Sequence, residues 1–198
     1  MLFFLDTEWA DQHERRLVSL ALVGEDQNLV FYAERGLLSK APTPFVRNVV
    51  YPLLQRGDVA HTNAIFGMRL REFINAALTV TAETPCIAYD YIADRLFFES
   101  AYWGFTRMPR CAYIPVDYYD LASRHPEYLQ EYERYFRSHD EAATHRHNAL
   151  VDARAARYAF LTLQSRAVND QASIPSCLDV SRRVSVSRKC NRKLKYRC

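Results

Sequence analysis

The 198-residue sequence contains no apolar run that approaches the roughly 20 residues needed to span a bilayer. Its N-terminal apolar stretch covers only Leu2 to Leu5 and follows no basic segment, so it does not resemble a signal peptide. The five cysteines form no Cys-x-x-Cys pair, which disfavours a zinc site or a dithiol redox motif. We therefore expect a cytoplasmic protein without a membrane partner, in which Cys86 and Cys111 are buried free thiols.

The composition is that of a globular chain, because 49% of the residues are hydrophobic and 13% are aromatic. The length suits one domain with a sizeable core. The net charge of +3 is unevenly distributed: residues 175–198 hold eight Lys or Arg and one Asp, which leaves 18 basic and 22 acidic residues in 1–174. We expect 169–198 to be a disordered basic tail, acting either as an arm that binds RNA electrostatically or as a passive solubilising end.

Periodicity and turn signals predict an α/β layer fold, with helices covering a mixed sheet. The predicted strands span 2–7, 16–24, 28–34, 85–89 and 111–116, with a hairpin turn at 24–28. The predicted helices span 42–54, 66–80, 94–103 (ending at Gly104), a stretch from about 120, 126–138 and 149–164. The tyrosines of 126–138 lie on one helical face, which we expect to pack on the body of the protein.

Two carboxylates one residue apart, Asp6 and Glu8, follow the apolar run of the first predicted strand. Because side chains alternate along a strand, both point to the same face. Like charges at the end of a core strand repel and are costly to desolvate, and a divalent cation removes both difficulties. The alternative is that the pair simply caps the strand in solvent.

A histidine and an aspartate five residues apart, His147 and Asp152, stand at the start of the last predicted helix. Positions five apart differ by roughly 140° around a helix, so the two converge only if His147 lies in the preceding loop. Asn148 is then the candidate N-cap, and Asp152 leans toward the sheet. Such a pair suits general-base chemistry. The alternative is a surface pair, and we expect His145 to be a solvated loop residue.

Two further aspartates, Asp90 and Asp94, lie where a predicted strand ends and a helix begins. Either can contribute to a site at that edge of the sheet. Asp94 can instead serve as an N-terminal cap or interact with the helix dipole. Trp9, directly after the first carboxylate pair, is either a base-stacking residue or an aromatic wall of a cleft.

Together, these segments resemble the three motifs of the DEDD superfamily of 3′–5′ exonucleases, in the subclass whose third motif carries histidine. Residues 6–8 (Asp-Thr-Glu) are similar to the first motif. Residues 89–94 (Tyr-Asp-Tyr-Ile-Ala-Asp) are similar to the second, with Asp90 and Ala93 in place of the usual asparagine and phenylalanine. Residues 147–152 are similar to the third, His-x4-Asp. The likeness is greatest to small bacterial and phage 3′–5′ exoribonucleases that begin with Asp-Thr-Glu and an aromatic residue.

The resemblance implies a ribonuclease-H-like fold, with the exonuclease domain over 1–168, and hydrolysis of the terminal phosphodiester with two Mg²⁺ or Mn²⁺ ions per site. It implies that Asp6 bridges both ions, that Glu8 and Asp152 hold the first, and that Asp94 supports the second. His147 would take the proton from the attacking water. Spacing favours Asp94 over Asp90 as the second-motif ligand, and Thr7 and Trp9 are the expected substrate contacts.

The implied substrate is single-stranded RNA. A proofreading-type DNA exonuclease stays open, because no residue here identifies the 2′-hydroxyl. A nucleic-acid-binding module without activity is the alternative from another class, while the His-x4-Asp motif disfavours an endonuclease of the same fold. Because small members of this superfamily often pair, the resemblance also allows a homodimer.

Overall fold

The computed structural model describes residues 1–10, 16–104 and 114–172, and its strands form one mixed six-stranded sheet. They are β1 (Leu2–Trp9), β2 (Leu17–Gly24), β3 (Val30–Arg35), β4 (Ala60–His61), β5 (Cys86–Tyr89) and β6 (Asp117–Asp120). Across the sheet the order is β4-β3-β2-β1-β5-β6; β2 runs antiparallel to both neighbours, and the other adjacent pairs are parallel. The apolar run of β1 is thus the centre of the sheet.

Helices cover both faces of this sheet. They are α1 (Asn63–Thr81), α2 (Ile92–Trp103), α3 (Leu121–Arg124), α4 (Tyr128–Ser138), α5 (Asp140–Thr144) and α6 (Ala149–Ala172). Phe3 and Leu5 of β1 pack in the core cluster that contains α1 and α2, whereas Phe4 packs against Phe160 of α6. The predicted α/β class is confirmed, and the arrangement is consistent with the expected ribonuclease-H-like sheet.

The predicted strand at 111–116 is wrong in the part that the structure describes. Residues 111–113 lie outside the described residues, 114–116 are not in a strand, and β6 begins at Asp117. β6 is an edge strand whose two tyrosines are only half-buried, so it lacks the continuous apolar run used as the sequence signal. Helical structure follows at Leu121, where Asp120 caps α3 by accepting from the Ser123 N–H at 2.9 Å.

The predicted helix at 42–54 is an irregular helical segment. It contains a π-helix at Val46–Val50 and a 3-10 turn at Tyr51–Leu53. Pro52 has no N–H to continue an α-helical ladder, which accounts for the change in geometry. The other predicted helices agree with the structure to within a few residues, except that α6 continues beyond 164. The tyrosine face of α4 does pack on the body, with Tyr128 fully buried.

The cysteines and the basic tail lie only partly within the described residues. Cys86 is free but half-buried, while Cys111, Cys177, Cys190 and Cys198 lie outside the described residues. Residues 169–172 continue α6, and the remainder of the basic tail, 173–198, also lies outside them. Within the described ranges, no helix has both the length and the apolar character required to cross a membrane.

The close crossing of α1 and α2 yields a stability prediction. A Cβ on Gly67 would lie 2.8 Å from the backbone oxygen of Ala101, a contact that rigid backbone cannot relieve. Gly67→Ala should therefore destabilise the protein by about 1–3 kcal/mol, although Ala is the better helix former. Chemical denaturation measures this change, with the exposed Asn75→Ala on the same helix as control. An unchanged or raised unfolding free energy for Gly67→Ala would contradict the packing.

Candidate metal centre

The candidate site forms where β1 and β5 end and α2 begins. Because successive side chains of β1 point to opposite faces of the sheet, Phe4, Asp6 and Glu8 face the side covered by α6. Thr7 faces the side covered by α2. The ladder between β1 and β2 shifts register between Glu8 and Trp9, which bends the strand just past the carboxylates. This edge, at the carboxyl ends of parallel strands, is where α/β sheets commonly bind ligands.

Asp94 lies in the first turn of α2 and is 3% exposed. It does not cap the helix; its Oδ1 accepts a 2.6 Å hydrogen bond from the Thr7 hydroxyl of β1. Asp90, the alternative second-motif residue, accepts instead from the hydroxyl of Tyr128 at 3.1 Å. The charges of both aspartates raise the pKa of Asp6 in β1. The effect of Asp94 is larger than that of Asp90, so Asp94 interacts more strongly with the carboxylate of β1.

The start of α6 brings His147 and Asp152 together as the spacing predicts. His147 precedes the helix with φ of 74°, and its backbone N–H donates to Asp152 Oδ2 at 3.1 Å. Asn148 is the N-cap, because its Oδ1 accepts from the Leu150 N–H at 3.0 Å. Two residues five positions apart can therefore face the same point.

Glu8, His147 and Asp152 offer ligand atoms that all lie within 4.8 Å of one another, so these three residues could hold a metal ion. Asp6 Oδ2 and Asp152 Oδ1 are buried and accept no hydrogen bond from any residue that the structure describes. Buried carboxylate oxygens ordinarily have partners. Unpartnered oxygens beside a three-residue ligand set fit a bound divalent cation.

The electrostatics of this acidic cluster (Asp6, Glu8, Asp94 and Asp152) are unfavourable without a cation. Burial, followed by the charges of Asp152 and Asp94, raises the pKa of both Asp6 and Glu8 well above the ordinary range. Burial is also the main cause that raises the pKa of Asp94 to about 7 and that of Asp152 to about 7. The metal-free cluster thus retains protons near neutral pH.

His147 has the opposite shift. Burial, and then the charge of Arg146, lowers its pKa, which favours the neutral imidazole. Arg146 itself forms an ion pair with Glu133 of α4. The ring of Phe45 packs edge-on against the His147 ring, with centroids 4.9 Å apart. His147 therefore lies beside the carboxylates with its ring in contact with an aromatic side chain.

A buried polar network positions the start of α6. Glu34 of β3, which is 0% exposed, accepts from the Tyr32 hydroxyl at 2.7 Å and from the Gln55 N–H at 2.7 Å. Asn148 Nδ2 donates to the Tyr32 hydroxyl at 3.4 Å and to the Leu53 carbonyl at 3.0 Å. The network ties β3 and the segment after Phe45 to the N-cap of α6.

An apolar pocket of about 470 Å³ opens beside the cluster. It is lined by Glu8, Trp9, Thr43, Pro44, Phe45, Val46 and His147. Trp9 stacks on Phe97, with centroids 5.4 Å apart, and on Tyr91 at 6.0 Å. Trp9 is therefore an aromatic wall of the cleft, which is one of the two roles predicted for it. Its stacking on a base, the other role, stays a prediction. We call this cavity the apolar pocket.

Of the predicted site residues, the structure brings Glu8, His147 and Asp152 to within ligand distance of one another. Asp6 and Asp94 lie close enough for their charges to act on this cluster, and the functional roles of all five stay predictions. Thr7 is buried, and its hydroxyl donates a hydrogen bond to Asp94, so it orients that carboxylate. The predicted contact between Thr7 and a substrate stays a prediction. His145 is exposed, as expected. Sequence reasoning missed Phe45 and the Glu34 and Tyr32 network, because their roles depend on contacts between residues far apart in the chain.

The raised carboxyl pKa values predict that metal-free stability falls with rising pH. A carboxyl group with a folded pKa above its ordinary 3.8 contributes stability below about pH 4 and loses it as the pH rises through about 7. In EDTA, the melting temperature should therefore fall between pH 4 and pH 8, and Mn²⁺ should restore it at pH 8. Because Asp152→Asn removes one of these titrating groups, its loss of unfolding free energy between pH 4 and pH 8 should be smaller than that of wild type, by on the order of 2–4 kcal/mol. The exposed Asp58→Asn should match wild type, and an identical slope in Asp152→Asn would contradict the cluster.

The positive φ of His147 predicts a conflict between stability and the site. An L-residue in the left-handed region is strained by roughly 1–2 kcal/mol relative to glycine. Both His147→Gly and His147→Ala remove the imidazole, but only glycine relieves the backbone. We expect the Gly variant to exceed the Ala variant in unfolding free energy by about 1 kcal/mol. Paired denaturant titrations test this, and equal stabilities would contradict the backbone geometry.

Comparison with known proteins adds no family assignment at this point. No protein-family model matches this sequence, and no curated protein shows a significant match to it.

Proposed function

We propose that this protein is a divalent-metal-dependent 3′–5′ exoribonuclease that removes nucleotides from the end of single-stranded RNA. The observation that carries the proposal is that Glu8, His147 and Asp152 offer ligand atoms within 4.8 Å of one another. The charges of Asp152 and Asp94 act on the buried Asp6 beside them. Asp6 Oδ2 and Asp152 Oδ1 lack partners among the described residues. Structural carboxylates are ordinarily paired or exposed. The order of the residues along the chain also agrees with the three exonuclease motifs.

The ligand set favours Mg²⁺ or Mn²⁺, since carboxylate oxygens dominate it and no cysteine takes part. Asp6, Glu8 and Asp152 would hold the ion that acts on the attacking water, and Asp94 would support a second ion beside Asp6. A bound divalent ion supplies Lewis-acid polarisation of the phosphoryl group and offsets the anionic charge of RNA at an acidic site.

His147 would accept the proton from the water that attacks the last phosphodiester. The phosphorus–O3′ bond of the penultimate nucleotide breaks, which releases a nucleoside 5′-monophosphate and leaves a new 3′-hydroxyl. The lowered pKa of His147 and its contact with Phe45 support this role. The apolar pocket, walled by Trp9 and Phe45, is suited to the terminal base, because aromatic walls bind bases without regard to sequence.

Degradation of a 5′-labelled single-stranded RNA, beside its DNA counterpart, tests the proposal. With Mn²⁺ or Mg²⁺ we expect a ladder that shortens from the 3′ end, is stronger on RNA, and is absent in EDTA and in Asp152→Ala. His147→Ala should lower turnover by about 10²–10⁴-fold, because it removes the general base. The exposed His145→Ala serves as a matched control and should retain the wild-type rate.

Each contrary result has a defined meaning. A ladder on DNA alone would assign a proofreading-type DNA exonuclease. Internal fragments would assign an endonuclease. Intact RNA together with retained binding would leave a nucleic-acid-binding module. An unchanged rate in His147→Ala would exclude this histidine as the base, while Mn²⁺-dependent thermal stabilisation that is lost in Asp6→Ala would still identify the metal site.

A further inference from the structure

A second cavity lies beside α6 and shares no lining residue with the acidic cluster or the apolar pocket. Its volume is about 360 Å³, within the range of roughly 300–1,000 Å³ that is typical of small-molecule sites. It is formed by the β2–β3 hairpin, the C-terminal end of α4 and the middle of α6. Its aromatic and basic lining consists of Tyr135, His139, Arg154, Arg157 and Tyr158. We call it the basic pocket.

The pocket has positive charge and no acidic residue among the described residues that line it. Arg157 is held in place by the hairpin backbone. Its Nε donates to the carbonyls of Gly24 and Glu25 at 3.1 and 2.9 Å, and its Nη2 donates to the Glu25 carbonyl at 2.5 Å. Its Nη1 makes no hydrogen bond to a described residue. Arg154 is exposed and, within the described chain, forms no hydrogen bond or ion pair. The guanidinium of Arg154 and the remaining Nη1 of the anchored Arg157 can thus donate to an anionic group.

Aromatic rings form the other part of the wall. Tyr135 stacks on His139 with centroids 4.4 Å apart, and Tyr158 lies 5.3 Å from Tyr135 and 5.8 Å from His139. All three line the cavity, and the two tyrosines are only half-buried. Tyr128 of the same helix α4, by contrast, is fully buried in the core. Aromatic rings with adjacent arginines are the chemistry that binds a base and its phosphate.

From this juxtaposition we propose that the basic pocket is a nucleotide-binding site. Arg154 and Arg157 bind the phosphate, and the base packs against Tyr135 and Tyr158. The ligand class is a phosphorylated nucleoside, either free or as one unit of a nucleic-acid strand. The site requires no hydrolysis, so it is independent of the proposed nuclease activity.

The probe is 5′-AMP, titrated calorimetrically into the full-length chain in EDTA, which removes cations that would bind phosphate at the acidic cluster. We expect one AMP per chain, with adenosine and inorganic phosphate each binding at least about tenfold more weakly. Arg154→Gln should weaken AMP about tenfold or more, since it removes a charge-assisted contact. Tyr158→Leu should weaken AMP but leave phosphate unchanged.

Two control variants distinguish binding in the basic pocket from binding elsewhere on the protein. Arg69→Gln makes the same charge change at an exposed arginine of α1 and should bind AMP like wild type. Asp152→Asn alters the acidic cluster and should also bind AMP like wild type. The proposal is overturned if AMP does not bind, if Arg154→Gln behaves like Arg69→Gln, or if Asp152→Asn abolishes binding.

The pentanucleotide oligo(A)5, titrated under the same conditions, distinguishes the two sources of the nucleotide. Tighter binding than AMP, with the gain lost in Arg154→Gln, would identify the pocket as a contact for a strand. Equal affinities, both weakened by Arg154→Gln, would identify a site for free nucleotide. If Arg154→Gln changes neither affinity, the pocket does not bind nucleotides.

Discussion

The mutual repulsion of four carboxylates at the end of the central strand is the constraint on which the rest of this structure depends. Asp6 and Glu8 come from one strand, and Asp94 and Asp152 reach them from helices on opposite faces of the sheet. Burial and like charge raise the pKa of every member, so the site is stable either protonated or with a cation. The surrounding fold holds these groups together despite the cost.

Directed hydrogen bonds hold the two carboxylates that come from helices. Thr7 binds one oxygen of Asp94, and the backbone N–H of His147 binds one oxygen of Asp152. Asp152 Oδ1 keeps no partner among the described residues. A fully satisfied network would be more stable without metal but would offer no ligand atoms. Local strain at His147 is part of the same compromise, because its φ of 74° places the imidazole beside the carboxylates.

Sequence patterns were informative where the physics is local. Alternation along a strand placed Asp6 and Glu8 on one face, and helical geometry required His147 to precede the helix that Asn148 caps. Contacts across the chain left no such pattern: Glu34 binds the Gln55 backbone, and Phe45 reaches His147 over about a hundred positions. The misplaced edge strand has the same origin, since β6 pairs through its backbone while its side chains are tyrosines and aspartates that are not fully buried.

The arrangement of charge on α6 accounts for how one helix can serve an acidic cluster and a basic pocket. Asp152 and Arg154 are two positions apart, about 200° around the helix, so the carboxylate faces the sheet while the guanidinium faces outward. The arginine that does lower the pKa of Asp152 is Arg146, and its guanidinium is already paired with Glu133. A fixed arginine inside the cluster would neutralise the carboxylates permanently. Keeping the basic groups outside leaves the negative charge for an exchangeable cation, which the proposed chemistry requires, and leaves Arg154 for an anion.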